Sequence, residues 1–395
     1  MARILFAWEL GAGLGHVTCQ RPLALGLRER GHEVVLAVRD VRSAAAVFAG
    51  AGLAFVQCPY RSWRVPRRFQ PLMSYAQLLH SIGCNEPRGL ASLVAAWRHL
   101  YELVDPDLIV FDHSPIGLLA AREHRAKRAL LGTGFCAPPA VSPLPQLRPW
   151  VRADLAQLAK DEEVVRSIVN KALEQTGSIS LPHLGDIYAG IDVNLLTTYA
   201  ELDHFGPRRD ARYWGVQLSC PATPPMWPRV AGKKIFAYLK PSPGLPELLQ
   251  HLNKLGQPSI VFGTWVNDRA RRRFASSTLR LEHRPLDIAL VAEQCDLAIL
   301  NATHGTTAEL LLKGVPLLQL PIFVEQQLTA RNTVEIGAAL AANRKKPRVV
   351  ADRIGRLLAT DRYRQAARRF AAKYADTDAE KMREEIIDLL EDLAL

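Results

Sequence analysis

Residues able to do chemistry gather in two places along the chain. Asn301-Ala302-Thr303-His304-Gly305-Thr306-Thr307-Ala308-Glu309 carries small residues, hydroxyls, an imidazole and a carboxylate directly after an apolar strand over 296–300. A strand that turns sharply into a helix aims the helix's unpaired N–H groups and its positive dipole end at the strand's C-terminal edge, where a diphosphate is well placed. Gly305, Thr306 and Thr307 are the expected diphosphate donors, and Glu309, about one turn in, is spaced to reach ribose hydroxyls. Beyond Lys313-Gly314-Val315-Pro316, the loop Pro321-Ile322-Phe323-Val324-Glu325-Gln326 adds polar groups suited to a sugar.

The second place is Gly11-Ala12-Gly13-Leu14-Gly15-His16, at the exit of the first strand. A glycine-rich bend there brings the following side chain to the mouth of the sheet, and an imidazole can take a proton near neutral pH. Asp112 ends the strand 107–112 on the same edge, so its carboxylate could orient His16 and stabilise the imidazolium that forms. An N-cap for a helix over 116–122 is the structural alternative for Asp112. His113 and Ser114 are adjacent competitors, and Glu9 is a further candidate base.

These motifs resemble those of the UDP-glycosyltransferases and their relatives of the GT-B fold, in which His-Gly-Gly-x-x-Thr-x-x-Glu precedes Gly-Val-Pro and then Pro-x-x-x-Asp-Gln. Aligned on Gly305 to Glu309, this chain has Asn301 where the family has His, Ala302 and Thr303 in place of glycines, His304 three positions late, and Glu325 in place of Asp. The resemblance implies two doubly wound α/β Rossmann-like domains facing a cleft. It places the base on the Gly15-His16 pair and an Asp in the setting of Phe111-Asp112-His113-Ser114. It sets the nucleobase loop at Arg284-Pro285-Leu286, although the usual aromatic and Gln are missing there, and diphosphate and sugar contacts at Asn301, His304 to Thr307, Glu309, Glu325 and Gln326. The implied reaction is inverting transfer of a sugar from a UDP- or dTDP-sugar to an acceptor hydroxyl on a small or lipid-linked molecule. No cofactor is expected. With neither a His/Cys ligand cluster nor an Asp-x-Asp pair recognised, the mechanism is expected to need no metal.

The elements that must position these residues alternate along the chain. Strands over 3–8, 33–39, 53–57, 107–112, 129–133 and 193–198, with helices near 19–30 and 43–51, predict a parallel sheet covered on both faces. Long proline-punctuated insertions, 60–103 and 137–191, are expected to shape a variable binding surface. Residues 205–233 accumulate five prolines and read as a linker. Alternation restarts with strands over 235–239, 259–262, 279–283, 297–300 and 316–320 and helices over 247–255, 288–294 and 306–312. The expected division is therefore 1–204, the linker 205–233, 234–348, and terminal helices 349–395 that cross back to the first domain.

Composition bounds the alternatives. The 395 residues are 48% hydrophobic, enough for two cores. Fifty Lys and Arg against 39 Asp and Glu leave a charge of +11, but the clusters at 61–68, 269–273 and 344–348 lack the pattern of a nucleic-acid module and read as solvated faces. Six scattered cysteines without Cys-x-x-Cys, no secretory signal and no long apolar run point to a reduced, cytoplasmic setting, with any membrane contact peripheral. Oligomeric state has no signature. Three other readings share the two-domain pattern: a nicotinamide-dependent oxidoreductase using the glycine turn with Asp40, a nucleotide-sugar 2-epimerase, and a non-catalytic sugar-nucleotide sensor.

Overall fold

The structure is a computed structural model and describes residues 1–61, 63, 68–217 and 222–395. Most of the basic run 61–68, together with Cys220 and Pro221, lies outside the described residues. The chain forms two compact units, Met1–Cys220 with Asp378–Leu395, and Pro221–Thr377.

The first unit runs β1 (Arg3–Trp8), α1 (Gly15–Glu29), β2 (Glu33–Val38), α2 (Val41–Val47), β3 (Ala54–Gln57), α3 (Tyr75–Ile82), α4 (Pro87–Val104), β4 (Leu108–Asp112), α5 (Pro115–Ala120), β5 (Lys127–Gly132), α6 (Leu155–Gln175) and β6 (Val193–Leu196). Its six strands are all parallel, in the order β3-β2-β1-β4-β5-β6. Strand alternation sends Ile4, Phe6 and Trp8 to one face, where they join Val17, Leu23 and Leu27 of α1 in a core. The insertion 60–103 supplies α3 and α4; Trp97 on α4 is fully buried and is a core residue, whereas Trp150 is 43% exposed.

The second unit runs β7 (Ile235–Tyr238), α7 (Leu245–Leu255), β8 (Ser259–Phe262), α8 (Asp268–Phe274), β9 (Leu279–Glu282), α9 (Ile288–Gln294), β10 (Leu297–Leu300), α10 (His304–Leu312), β11 (Leu317–Gln319), α11 (Val324–Glu335), β12 (Ala339–Ala341), α12 (Pro347–Ala359) and α13 (Arg362–Lys373). Its sheet is again parallel, ordered β12-β11-β10-β7-β8-β9. The two-sheet α/β architecture expected from the alternating pattern is therefore present. Sequence patterning missed α8, a seven-residue helix whose four arginines read only as charge, and the three-residue β12, too short to show a period.

Helices α12 and α13 stay with the second unit, and α14 (Ala379–Ala394) returns to the first. Ile386, Ile387 and Leu390 enter the first unit's core. Gly26 of α1 makes room for this: a Cβ there would run into Ile387. Around the apolar seam, Arg30 meets Glu384, Asp388 and Glu391, and His32 Nε2 lies 2.8 Å from Glu391.

Each sheet reverses its winding once, between β1 and β4 and between β7 and β10. Loops leaving the C-terminal ends of such neighbours diverge and open a crevice, the usual ligand position in doubly wound sheets. Both clusters singled out by the sequence stand at these two points.

Candidate functional site

In the first unit, α1 begins at Gly15, earlier than the sequence pattern suggests, so His16 belongs to its first turn. Its Nδ1 lies 2.9 Å from each carboxylate oxygen of Asp112, the last residue of β4. Asp112 is 3% exposed and also accepts a bond from Gln20 Nε2 at 2.9 Å. Gln20 is four residues beyond His16, on the same helix face, so an i, i+4 pair was the overlooked sequence signal for this third member. A carboxylate on Nδ1–H fixes the tautomer that carries its lone pair on Nε2 and stabilises the imidazolium once a proton arrives there. Trp8 stacks with the imidazole at a centroid distance of 5.1 Å. Gly11 has φ +95°, and a Cβ at that position would collide with His16 Nε2, so the glycine lets the loop pass close to this nitrogen.

The neighbours take structural parts. Glu9 is no solvent-facing base: its Oε2 accepts from Ile116 N at 2.9 Å, Gly117 N at 3.2 Å and Ser114 Oγ at 3.3 Å, closing the N-terminus of α5. That capping, one alternative for Asp112, therefore falls to Glu9. Burial raises the Glu9 carboxyl to about 7 despite those bonds. His113 adopts the left-handed backbone, φ 47°, and its carbonyl holds Leu10 N at 3.0 Å. Its ring is buried, stacks with His16 at 6.2 Å, and is lowered to about 3 by burial and by His16, so it stays neutral. Asp40 accepts from Arg42 N, Ser43 N and Ser43 Oγ as the N-cap of α2, which occupies the acid that a dinucleotide site would use for ribose.

In the second unit, the turn between β10 and α10 has the backbone shape that glycine favours, but Ala302 adopts it, with φ +58°. Asn301 is 3% exposed, and its amide is committed to backbone: Oδ1 accepts from Lys240 N at 2.6 Å and Nδ2 donates to Leu320 O at 2.8 Å. The residue standing at the family's His position thus bolts together the exits of three neighbouring strands and is withdrawn from the expected diphosphate contact. Thr307 is withdrawn as well. It is fully buried, its N–H closes the first helical turn on Thr303 O at 3.0 Å, and its hydroxyl accepts from Gln319 Nε2 at 3.3 Å.

The N–H groups preceding the first intrahelical bond are those of His304, Gly305 and Thr306, of which Gly305 and Thr306 are half-buried. His304 is buried and lowered to about 4 by burial, so it meets an anion as a neutral imidazole and not as a cation. Glu309 is half-buried on α10, and burial, then the charge of Asp287, raises it to about 7. Asp287 caps α9 and follows the loop Arg284-Pro285-Leu286, so this coupling puts the expected ribose and nucleobase segments next to one another. Arg284 is exposed, while Leu286 is 4% exposed. Thr223 N donates to Pro285 O and Asp287 N to Thr223 O, which turns the backbone N–H and C=O of Leu286 to the opposite edge. Glu325 stands half-buried in the first turn of α11, and Gln326 is buried with Oε1 accepting Ile322 N at 2.8 Å, so Gln326 shapes its loop.

Asp-x-Asp pairs do occur, contrary to the sequence reading, but away from both sites. Asp105 and Asp107 precede β4 and pair with Arg125, and Asp378 caps α14. The fold also assembles a ligand cluster that spacing could not show: His16, Asp112 and Cys136 offer ligand atoms within 4.8 Å of one another.

No family model matches the chain, and no curated protein matches it in sequence. Solved structures match it from end to end. The glycosyltransferase VinC in complex with dTDP is 18% identical, with a TM-score of 0.68 over 99% of this chain and 100% of that one. The glycotransferase of kitacinnamycin is 16% identical, with a TM-score of 0.72 over 100% and 99%. SsfS6 of Streptomyces sp. SF2575, complexed with thymidine diphosphate, is 21% identical, with a TM-score of 0.64 over 99% and 100%. The chain therefore has the fold of these glycosyltransferases, the GT-B arrangement of two Rossmann-like α/β domains.

Proposed function

We propose that the protein is an inverting, metal-independent glycosyltransferase that moves a sugar from a UDP- or dTDP-sugar to a hydroxyl of a small-molecule acceptor. The observation that carries this reading is the His16–Asp112 dyad, with Nδ1 held at 2.9 Å from both carboxylate oxygens. In that tautomer Nε2 takes the acceptor's proton, the oxygen attacks the anomeric carbon, and the nucleoside diphosphate leaves with its electron pair. Direct displacement inverts the anomeric centre. Charge on the leaving group is met by the amides that open α10, at His304, Gly305 and Thr306, and Glu309 accepts ribose hydroxyls. Fixed donors of this kind supply what a magnesium ion would otherwise supply. Leu286 offers its backbone edge to the base, and Glu325 faces the sugar hydroxyls. In this reading the first unit binds the acceptor and the second the donor.

The resemblance of the donor segment to the nucleotide-sugar motif supports the substrate class, and the dTDP bound to VinC and SsfS6 favours a thymidine or uridine donor. The described cysteines form no disulfide and are buried, which suits a cytoplasmic enzyme. No helix among the described residues is long and apolar enough to cross a membrane.

The test is a thermal-shift series with UDP-, dTDP- and GDP-sugars and nicotinamide dinucleotides, followed by donor turnover against acceptor alcohols, lipid-linked alcohols included. Stabilisation by a UDP- or dTDP-sugar, with EDTA-resistant release of the nucleoside diphosphate and an inverted product, is expected. Stabilisation by a nicotinamide dinucleotide alone would overturn the reading.

A further inference from the structure

We propose that His16, Asp112 and Cys136 form a binding site for a thiophilic divalent cation, zinc above all, and that occupancy switches off His16 as a base. The second half rests on the function proposed above; the site itself does not.

The three ligands leave the sheet at adjacent exits: His16 on α1 after β1, Asp112 at the end of β4, and Cys136 in the loop after β5. Their donor atoms already lie within 4.8 Å of one another. Tetrahedral zinc, with bonds of about 2.0 Å to nitrogen or oxygen and about 2.3 Å to sulfur, needs ligand atoms roughly 3.3–3.6 Å apart. The His16–Asp112 separation of 2.9 Å thus opens by only a few tenths of an ångström. Most of the adjustment falls on Cys136, which sits in a tight turn outside any helix or strand, its N–H bonded to Thr133 O at 2.9 Å. His16, whose side chain is 17% exposed, provides the approach from solvent. One nitrogen, one sulfur and one carboxylate suit zinc or copper and not magnesium or calcium, and three protein ligands leave a fourth position for water.

The ion takes the Nδ1 lone pair, so the ring proton resides on Nε2 instead, and the Cys136 thiol releases its proton to water. Asp112 remains a carboxylate, and one proton is set free per ion bound. With a hydrogen on Nε2, His16 has no lone pair to offer an acceptor hydroxyl.

Cobalt(II) added to the metal-free protein tests the site without reference to activity. Wild type is expected to show a thiolate-to-cobalt charge-transfer band that zinc displaces, and Cys136→Ala to lack the band and bind zinc at least tenfold more weakly in competition with a chromophoric chelator. Cys136→Ser, nearly isosteric, repeats the measurement should the alanine variant fold poorly. Protection of Cys136 from alkylation by zinc in wild type gives a third readout. Absence of the band in wild type would overturn the site. So would its survival in Cys136→Ala, or its loss only in Cys19→Ala, the neighbouring buried thiol that faces Thr197 at 3.8 Å. Zinc should also stop donor turnover reversibly in wild type but not in Cys136→Ala, whose turnover in EDTA should stay within twofold of wild type. A cobalt band in a protein that turns over no nucleotide sugar would uphold the site and sink the transferase reading; normal turnover without a band would do the reverse.

Discussion

The β1/β4 and β7/β10 crossings occupy equivalent places in two parallel sheets, yet they present opposite kinds of chemistry. The first exposes side chains: an imidazole oriented by a buried carboxylate, with Gly11 letting the loop pass close to Nε2. The second exposes mostly backbone: the amides that open α10, with Asn301 and Thr307 turned inward to hold the turn and a single carboxyl, Glu309, left half-buried. Proton transfer needs a titrating side chain held at hydrogen-bond distance. Holding a diphosphate needs fixed dipoles, which a helix end supplies whatever its side chains are. The same topology thus depends less on side-chain identity at the second crossing than at the first.

The largest effect that would break this contrast belongs to the dyad. His16→Ala should lower kcat/KM at least 10³-fold and Asp112→Asn about 10²- to 10⁴-fold, the latter by releasing the wrong tautomer, while the dissociation constant for UDP or dTDP stays unchanged. Calorimetry and steady-state kinetics on the two variants check it; a loss of nucleotide affinity equal to the loss of rate would move both residues out of the base role.

Asn301→Ala comes next, and its signature should be stability. It strips a bond from Lys240 N and another from Leu320 O at a buried position, so unfolding free energy should fall by about 2 kcal/mol. Denaturant titration measures this, and an unchanged midpoint with weakened nucleotide binding would return Asn301 to the ligand.

Glu309→Ala should weaken nucleotide-sugar binding about tenfold, roughly 1.4 kcal/mol, with little change in kcat for bound donor. Because its carboxyl is raised to about 7, it gains charge, and hence strength as an acceptor for ribose hydroxyls, as pH rises through that value. Donor affinity should therefore tighten up to about tenfold from pH 6 to 8, and Glu309→Gln should flatten the profile. A flat wild-type profile would count against the ribose role. Linkage sharpens the point: a raised acid favours the folded state most below its unfolded value, and that advantage is lost as pH climbs through about 7, so in the free protein the same ionisation lowers stability.

The smallest effect is Ala302→Gly. Relief of the left-handed conformation, about 1 kcal/mol, outweighs the entropy that glycine adds to the unfolded chain by a few tenths, so the melting temperature should rise slightly with no change in rate. A clear drop would mean that the Ala302 methyl packs usefully.

Much of the fold and of the first site is legible in the sequence. Apolar runs marked eleven of the twelve strands because most strands of the two parallel sheets are buried on both faces and read apolar along their length. His16 and Asp112 could be paired because one follows β1 and the other ends β4, on the same edge of one sheet. What the linear pattern could not weigh was which hydrogen bonds the backbone would claim. Asn301, Thr307 and Gln326 have the side chains of ligand-binding residues, and the fold spends all three on its own polar groups.

The sequence alone determined the periodicities, the glycine bend and the residue types at each strand exit, since local conformation and burial follow from composition and spacing. Tertiary structure decided which of those residues stayed available: the capping of α5 by Glu9, the bolting of three strand exits by Asn301, and the meeting of Cys136 with His16 and Asp112 across three exits. Each depends on distances between segments far apart in the chain, and a buried polar atom takes whichever partner packing brings within reach.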